Sequence, residues 1–298
     1  MELIISFVKY KNKGLMKKEL DIPFEIKPQS TTISGSIGEL IKARKLIKYF
    51  ALDALKRLYR RTILGVFWLF VRPTTLVIIP VVMYLFILQV KVPGPPYILF
   101  FLSGFLPWVM FDFGVMWVTR SLNANAAILQ KMYLPKLIFP ISFAAPGVLY
   151  AAVTFLALIG AILWYWVKDG TLYINFSFKL ILLFVSVFWM FLIALGVGFF
   201  TCIWGAVNRD VRFIIRYVNG ALLLLTPVAF STENLPINMQ WLTNINILAQ
   251  PIFLARLSLF GDSIDLVPFV SSIMVTIMIF MCGLSYFLKY EKATMDKT

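Results

Sequence analysis

Long apolar runs, each closed by polar or basic residues, dominate the sequence from Val66 onward. About 20 apolar residues are enough for a helix to cross the hydrocarbon core of a bilayer. Such stretches fall at 66–90, 97–118, 138–167, 178–207, 213–230 and 266–288. The third is long enough to tilt and carries Pro140 and Pro146 near its start, whereas the fifth is short and contains Thr226-Pro227. Only 14% of residues are charged and 60% are hydrophobic, whereas a soluble globule carries roughly a quarter charged residues. The chain therefore reads as an all-α integral membrane protein with six transmembrane helices.

The net charge of +14 is distributed like membrane loops and not like one nucleic-acid-binding face. Segments 1–62, 119–137, 208–216 and 289–298 hold 23 of the 28 lysines and arginines. Under the positive-inside rule these segments are cytoplasmic, and so are both termini. With no histidine in the chain, imidazole acid–base catalysis and a Ser-His-Asp triad are excluded. Cys202 and Cys282 lie in apolar stretches without CxxC spacing, so no disulfide framework or zinc site is expected. Met1–Lys13 holds an apolar patch too short for the core of a secretory signal.

Four regions follow. Residues 1–38 read as a polar cytoplasmic extension, with one short strand expected around Leu20–Ile26. Residues 39–62 place Leu40, Ile41, Ile47, Phe50, Ala54 and Leu58 at helical steps, with Lys42, Arg44, Lys45, Lys48, Lys56 and Arg57 between them. That pattern predicts an amphipathic helix in the headgroup layer; the competing reading is a helix packed on protein. Residues 63–290 form the six-span domain, and 291–298 a cytoplasmic tail. Between spans five and six, Thr232–Asp265 is too polar at its ends to cross, yet its centre is apolar. A re-entrant external segment is expected there in preference to a simple loop, since irregular backbone at that depth has to be covered by protein or line a wet cavity.

No GxxxxGK[ST] loop occurs, so nucleotide binding of the P-loop kind is excluded. Asp112 is an acid inside a span and a functional candidate on that ground. Without a second carboxylate on its face it reads as structural or pore-facing, paired with a distant base, in preference to proton-coupling. Three local signals remain. Tyr59-Arg60-Arg61-Thr62-Ile63-Leu64-Gly65 leads from the basic helix into Trp68 and Arg72-Pro73, with Gly65 permitting a bend. Lys131-Met132-Tyr133-Leu134-Pro135-Lys136 has the size of a docking element in the first inner loop. Arg209-Asp210 precedes the fifth span, where Asp210 is placed to cap the helix.

In this order the signals resemble the membrane subunits of type-2 ABC exporters, in particular those that move O-antigen, capsular polysaccharide or teichoic acid on a lipid carrier. The resemblance covers about residues 40–290 and includes Thr226-Pro227-Val228, Leu235-Pro236, and Asn246 ten positions before Arg256. It implies a permease in the bacterial cytoplasmic (inner) membrane that pairs with a second copy of itself. It also implies two copies of a separate ABC ATPase that bind ATP and Mg, so this chain would hold no cofactor or metal and would not be an enzyme. Lys131, Tyr133, Pro135 and Lys136 would couple to the ATPase, and Arg60, Arg61 and Arg72 would hold the carrier pyrophosphate, attraction to lipid headgroups being the competing reading. Trp68, Phe70, Phe100, Phe101, Phe105, Trp108, Phe111, Asp112 and Trp117 are candidates for the glycan pathway, because sugar C–H faces stack on aromatic rings. For each aromatic, lipid-facing packing competes. The rival functions are an exporter of drugs or lipids on the same fold and a membrane-embedded transferase, for which the few scattered acids outside the cytoplasmic parts make a poor site. A six-span secondary transporter would show inverted repeats, and none is seen.

Overall fold

Helix α3 (Tyr97–Ala124) is apolar on every side, so it is stable only where other helices surround it. The computed structural model describes residues 40–60, 62–63, 65–84, 94–131, 134–175, 177–263 and 265–295, with backbone alone for Val66, Arg72, Ile237 and 292–295. The expected extension 1–38 with its strand, the far end of the first span and the last three residues lie outside it. Ahead of α3 come α1 (Arg44–Tyr59) and α2 (Trp68–Val82). After it come α4 (Ala126–Leu129), α5 (Ile138–Phe143), α6 (Ala145–Asp169), α7 (Ile181–Val207) and α8 (Val211–Leu225). The chain continues through α9 (Trp241–Ile245) and α10 (Ala249–Phe260) to α11 (Leu266–Met295).

The fold centres on α3, whose most extensive contacts are with α7 and α6, while α11 packs on the far side of α7. Small residues make the α3–α7 seam. Gly198 lies against Val118, and a Cβ at Gly205 would sit 2.9 Å from the Thr119 carbonyl oxygen. Within that seam the Thr119 and Thr201 hydroxyls share a 2.7 Å hydrogen bond. Small side chains let backbones approach in lipid, where helix association depends on packing and interhelical hydrogen bonds. The α7–α11 contact works the same way, with Gly283 against the Gly196 carbonyl and Trp189 Nε1 donating to Thr276 Oγ1 at 2.8 Å.

Among the described residues four helical stretches are long and apolar enough to cross a membrane: Tyr97–Ala124, Ile138–Asp169, Phe178–Val207 and Leu266–Glu291. They coincide with the expected second, third, fourth and sixth spans, the second running on past Val118 to Ala124. For the expected first and fifth spans, α2 and α8 have 15 residues each, about 22 Å of helix against a core of about 30 Å. Helix α8 stops because Pro227 drives Thr226 out of the helical region, to φ −100° and ψ 136°. Helix α10, with 12 residues, is about 18 Å long and too short to cross. It is buried against α3 and α7 and ends at Gly261, with φ 84°.

One local expectation changes. Asp210 precedes α8 but its side chain makes no capping bond. It already has helical angles, φ −66° and ψ −28°, and its carbonyl accepts from the Phe213 and Ile214 amides; a side-chain cap needs an extended residue. Helix α1 turns its apolar stripe onto protein. Phe50 and Ala54 are buried, the Phe50 and Phe139 rings lie 4.7 Å apart, and Ser142 Oγ donates to the Ile47 carbonyl at 3.1 Å. Arg57 fastens the helix to the end of α3, donating to the Ala124 carbonyl at 2.9 Å and to Asn125 Oδ1 at 3.0 Å. Ile41, Tyr49, Leu52 and the lysines 42, 45, 48 and 56 stay exposed on the other side. Between α1 and α2, Gly65 adopts φ 51°, a left-handed angle that other residues rarely take.

Candidate functional site

The most constructed polar site lies where α10 meets the ends of α3 and α8. Pro227 has no amide hydrogen, and the break after α8 leaves carbonyls of the 225–229 turn without helical partners. Side chains from three other places satisfy them. Arg256 of α10, 3% exposed, donates through Nη2 to the Val228 carbonyl at 2.9 Å. Tyr97, at the start of α3, donates its hydroxyl to the Ala229 carbonyl at 2.8 Å. Asn246 donates to Thr226 Oγ1 at 3.0 Å and to the Leu225 carbonyl at 3.3 Å, while its Oδ1 accepts from the Leu248 amide at 3.0 Å.

The Arg256 guanidinium also stacks on Phe100, 3.6 Å from the ring centroid. Gly104 leaves room for it, since a Cβ there would come within 3.1 Å of Nη2. No carboxylate among the described residues forms an ion pair with Arg256, although Asp262, just beyond α10, is within electrostatic reach. A buried cation held by a carbonyl and a ring face stabilises little by itself, because desolvation opposes it. Its evident effect is positional: three parts of the chain far apart in sequence are held in one arrangement.

Two proteins called O-antigen export system permease protein RfbA, both from Klebsiella pneumoniae, are 25% and 27% identical to this chain over 252 residues, 80% of this chain and 90% of each relative. Over most of its length the chain is thus similar to O-antigen export permeases. A third relative of the same description, from Myxococcus xanthus, is 27% identical over 106 residues, 36% of this chain and 40% of the relative. No protein-family model matches the chain.

In this chain the aromatic candidates separate into two groups. Phe100, Phe101, Phe105, Trp108 and Phe111 are all buried within the chain's own core. Phe101 stacks on Phe105 at 5.4 Å, Trp108 meets Phe111 at 5.5 Å, and the half-buried Trp117 lies 6.4 Å from Phe143. Trp68 and Phe70, in contrast, are exposed on α2. Among the described residues Asp112 is held by an amide and by no base: Asn219 Nδ2 of α8 donates to its Oδ1 at 2.7 Å. Asp112→Ala removes the 2.7 Å bond and leaves the buried Asn219 amide only its longer 3.4 Å bond to the Asp112 carbonyl, which should cost about 1–2 kcal/mol, read as a lower melting temperature in detergent. Asp112→Asn should stay close to wild type in both stability and transport; loss of transport with unchanged stability would show that the carboxyl proton matters.

The loop candidates fall in separate parts of the chain. Lys131 is exposed and Pro135 half-buried, while Lys136 donates to the Glu291 carbonyl of α11 at 3.0 Å. Tyr133, Arg61 and the side chain of Arg72 fall outside the described residues, and Arg60 is exposed just after α1. Arg209 and Asp210 form the turn before α8. Sequence reasoning missed Tyr97 and Asn219 as site residues and used Arg256 only as part of a spacing. The signal for Arg256 was a cation inside the apolar run 247–260; for Asn219 it was an amide in a run otherwise short of hydrogen-bonding side chains.

Proposed function

We propose that this chain is the transmembrane subunit of an ATP-driven exporter that moves lipid-linked polysaccharide across the bacterial cytoplasmic membrane. The observation carrying this reading is similarity to O-antigen export permeases across 80% of the chain, on an all-helical fold with several membrane-length helices. The chain crosses six times with both termini inside, and α9 and α10 re-enter from the outer side. The basic outer side of α1 lies on anionic headgroups. Two copies form the conduit, and two ATPase subunits drive it from the cytoplasm.

Each candidate then has a role. The edge around Lys131–Lys136 docks the ATPase, and the Lys136 bond to the end of α11 passes its movement to the last helix. Trp68 and Phe70, being exposed, are the aromatics available to a glycan, whereas the core aromatics act through packing. Arg60, with Arg61 and Arg72, meets the pyrophosphate of the carrier, to which guanidinium forks are matched. The reading is tested by isolating the chain from its native membrane in mild detergent and identifying its stoichiometric partners. A P-loop ATPase whose activity rises with lipid-linked glycan is the expected result; a drug- or lipid-stimulated ATPase would favour the rival cargo, and the chain alone would overturn the reading. Reversing the charge of Arg60 and Arg61 together should lower export roughly tenfold or more, the scale of lost hydrogen bonds to a charged group, while the ATPase still co-purifies. Unchanged export would remove the pyrophosphate assignment.

A further inference from the structure

Beside the Gly196–Gly283 contact between α7 and α11, a groove of about 450 Å³ opens toward the carboxyl-terminal end of α11. The α11 residues along it, Met281 and Cys282, Ser285 and Tyr286, then Lys289 and Tyr290, follow at steps of about one helical turn and so share a face. The character of the groove changes along that line. Its inner part is walled by Phe200, Met281 and the exposed Cys282. Its outer part is aromatic and polar: the Tyr286 ring lies 5.2 Å from Phe200 and 4.6 Å from Tyr290, and Trp204 Nε1 donates to the Tyr286 hydroxyl at 2.9 Å. At the mouth Lys289 is exposed, with its Nζ 5.4 Å from the Tyr290 ring centroid and no ion pair to a described carboxylate.

Apolar floor, tyrosine and tryptophan ring, then a cation, all within about 12 Å along a helix of membrane-crossing length, is the profile of the bilayer boundary itself. The open groove gives that profile a shallow recess. We propose that this groove binds one anionic phospholipid, an acyl chain lying along Phe200, Met281 and Cys282 and the phosphate meeting Lys289. A soluble anion would leave the apolar floor unexplained, and a neutral lipid would leave Lys289 without a counter-charge. The site involves none of the residues assigned above to cargo or to the ATPase.

Cys282 reports occupancy directly, because it is exposed in the groove whereas Cys202 is buried. The full-length chain, stripped of lipid in detergent, is treated with N-ethylmaleimide, and Cys282 alkylation is followed by peptide mass spectrometry. Phosphatidylglycerol should slow alkylation roughly fivefold more than phosphatidylcholine, the factor that one lysine's attraction to an anionic headgroup supplies, saturating near one lipid per chain. Lys289→Glu should abolish that preference, while Lys179→Glu, at the opposite end of α7, leaves it intact. Lys289→Gln reads the same loss if the charge reversal does not fold. Equal slowing by the two lipids in the wild type, or an undiminished preference in the Lys289 variants, would overturn the site and leave unselective lipid contact.

Discussion

Arg256→Met should lower export at least tenfold while changing the melting temperature little. The guanidinium contributes one hydrogen bond to the Val228 carbonyl and a stack on Phe100 at 3.6 Å. Against these stands the desolvation of a cation that no described carboxylate pairs with, so a methionine of similar reach recovers in apolar contact much of what is lost. What it does not recover is the link between α10 and the turn after α8. A charged hydrogen bond and a stack of about 1.5–3 kcal/mol together correspond to roughly a ten- to hundredfold change in how often that arrangement is populated. Arg256→Lys should fail as methionine does, since an ammonium cannot stack flat on Phe100 while reaching the carbonyl. The check is export measured beside thermal unfolding of the purified chain. A variant that exports normally would make Arg256 a packing residue only, and one that loses stability and export together would make its role that of any buried core group.

Gly283→Val should lower the melting temperature by roughly 6–12 °C, from about 3 kcal/mol of overpacking. The first side-chain carbon at this position would overlap the Gly196 carbonyl, which is backbone and cannot turn aside. Helices α7 and α11 would have to separate, stretching the 2.8 Å bond from Trp189 to Thr276. Gly220→Ala in α8 is the control: nothing lies within 4 Å of a Cβ there, so the change should be neutral or slightly stabilising through helix propensity. Equal melting temperatures for Gly283→Val and wild type would mean that the two helices do not touch along this line.

The amino-acid sequence by itself determined that the chain is helical and apolar and where four long helices lie, although α3 runs on past Val118 to Ala124. Those are local matters: run length, Pro227 after Thr226, and the left-handed Gly261 all act within a few residues. It also excluded imidazole and P-loop chemistry, because the residues are simply missing. Tertiary structure alone decided which face of each helix is inside. In a soluble protein the apolar face announces the core, but in lipid both faces are apolar, so Phe105 in the core and Phe70 on the surface come from equally apolar stretches. Nor does the stripe of α1 name its partner in the sequence: only the fold sets Phe50 against Phe139. Polar partners far apart in the chain were out of reach as well: Asp112 finds Asn219, and Arg256 finds Val228 and Phe100, through packing geometry that no local spacing encodes.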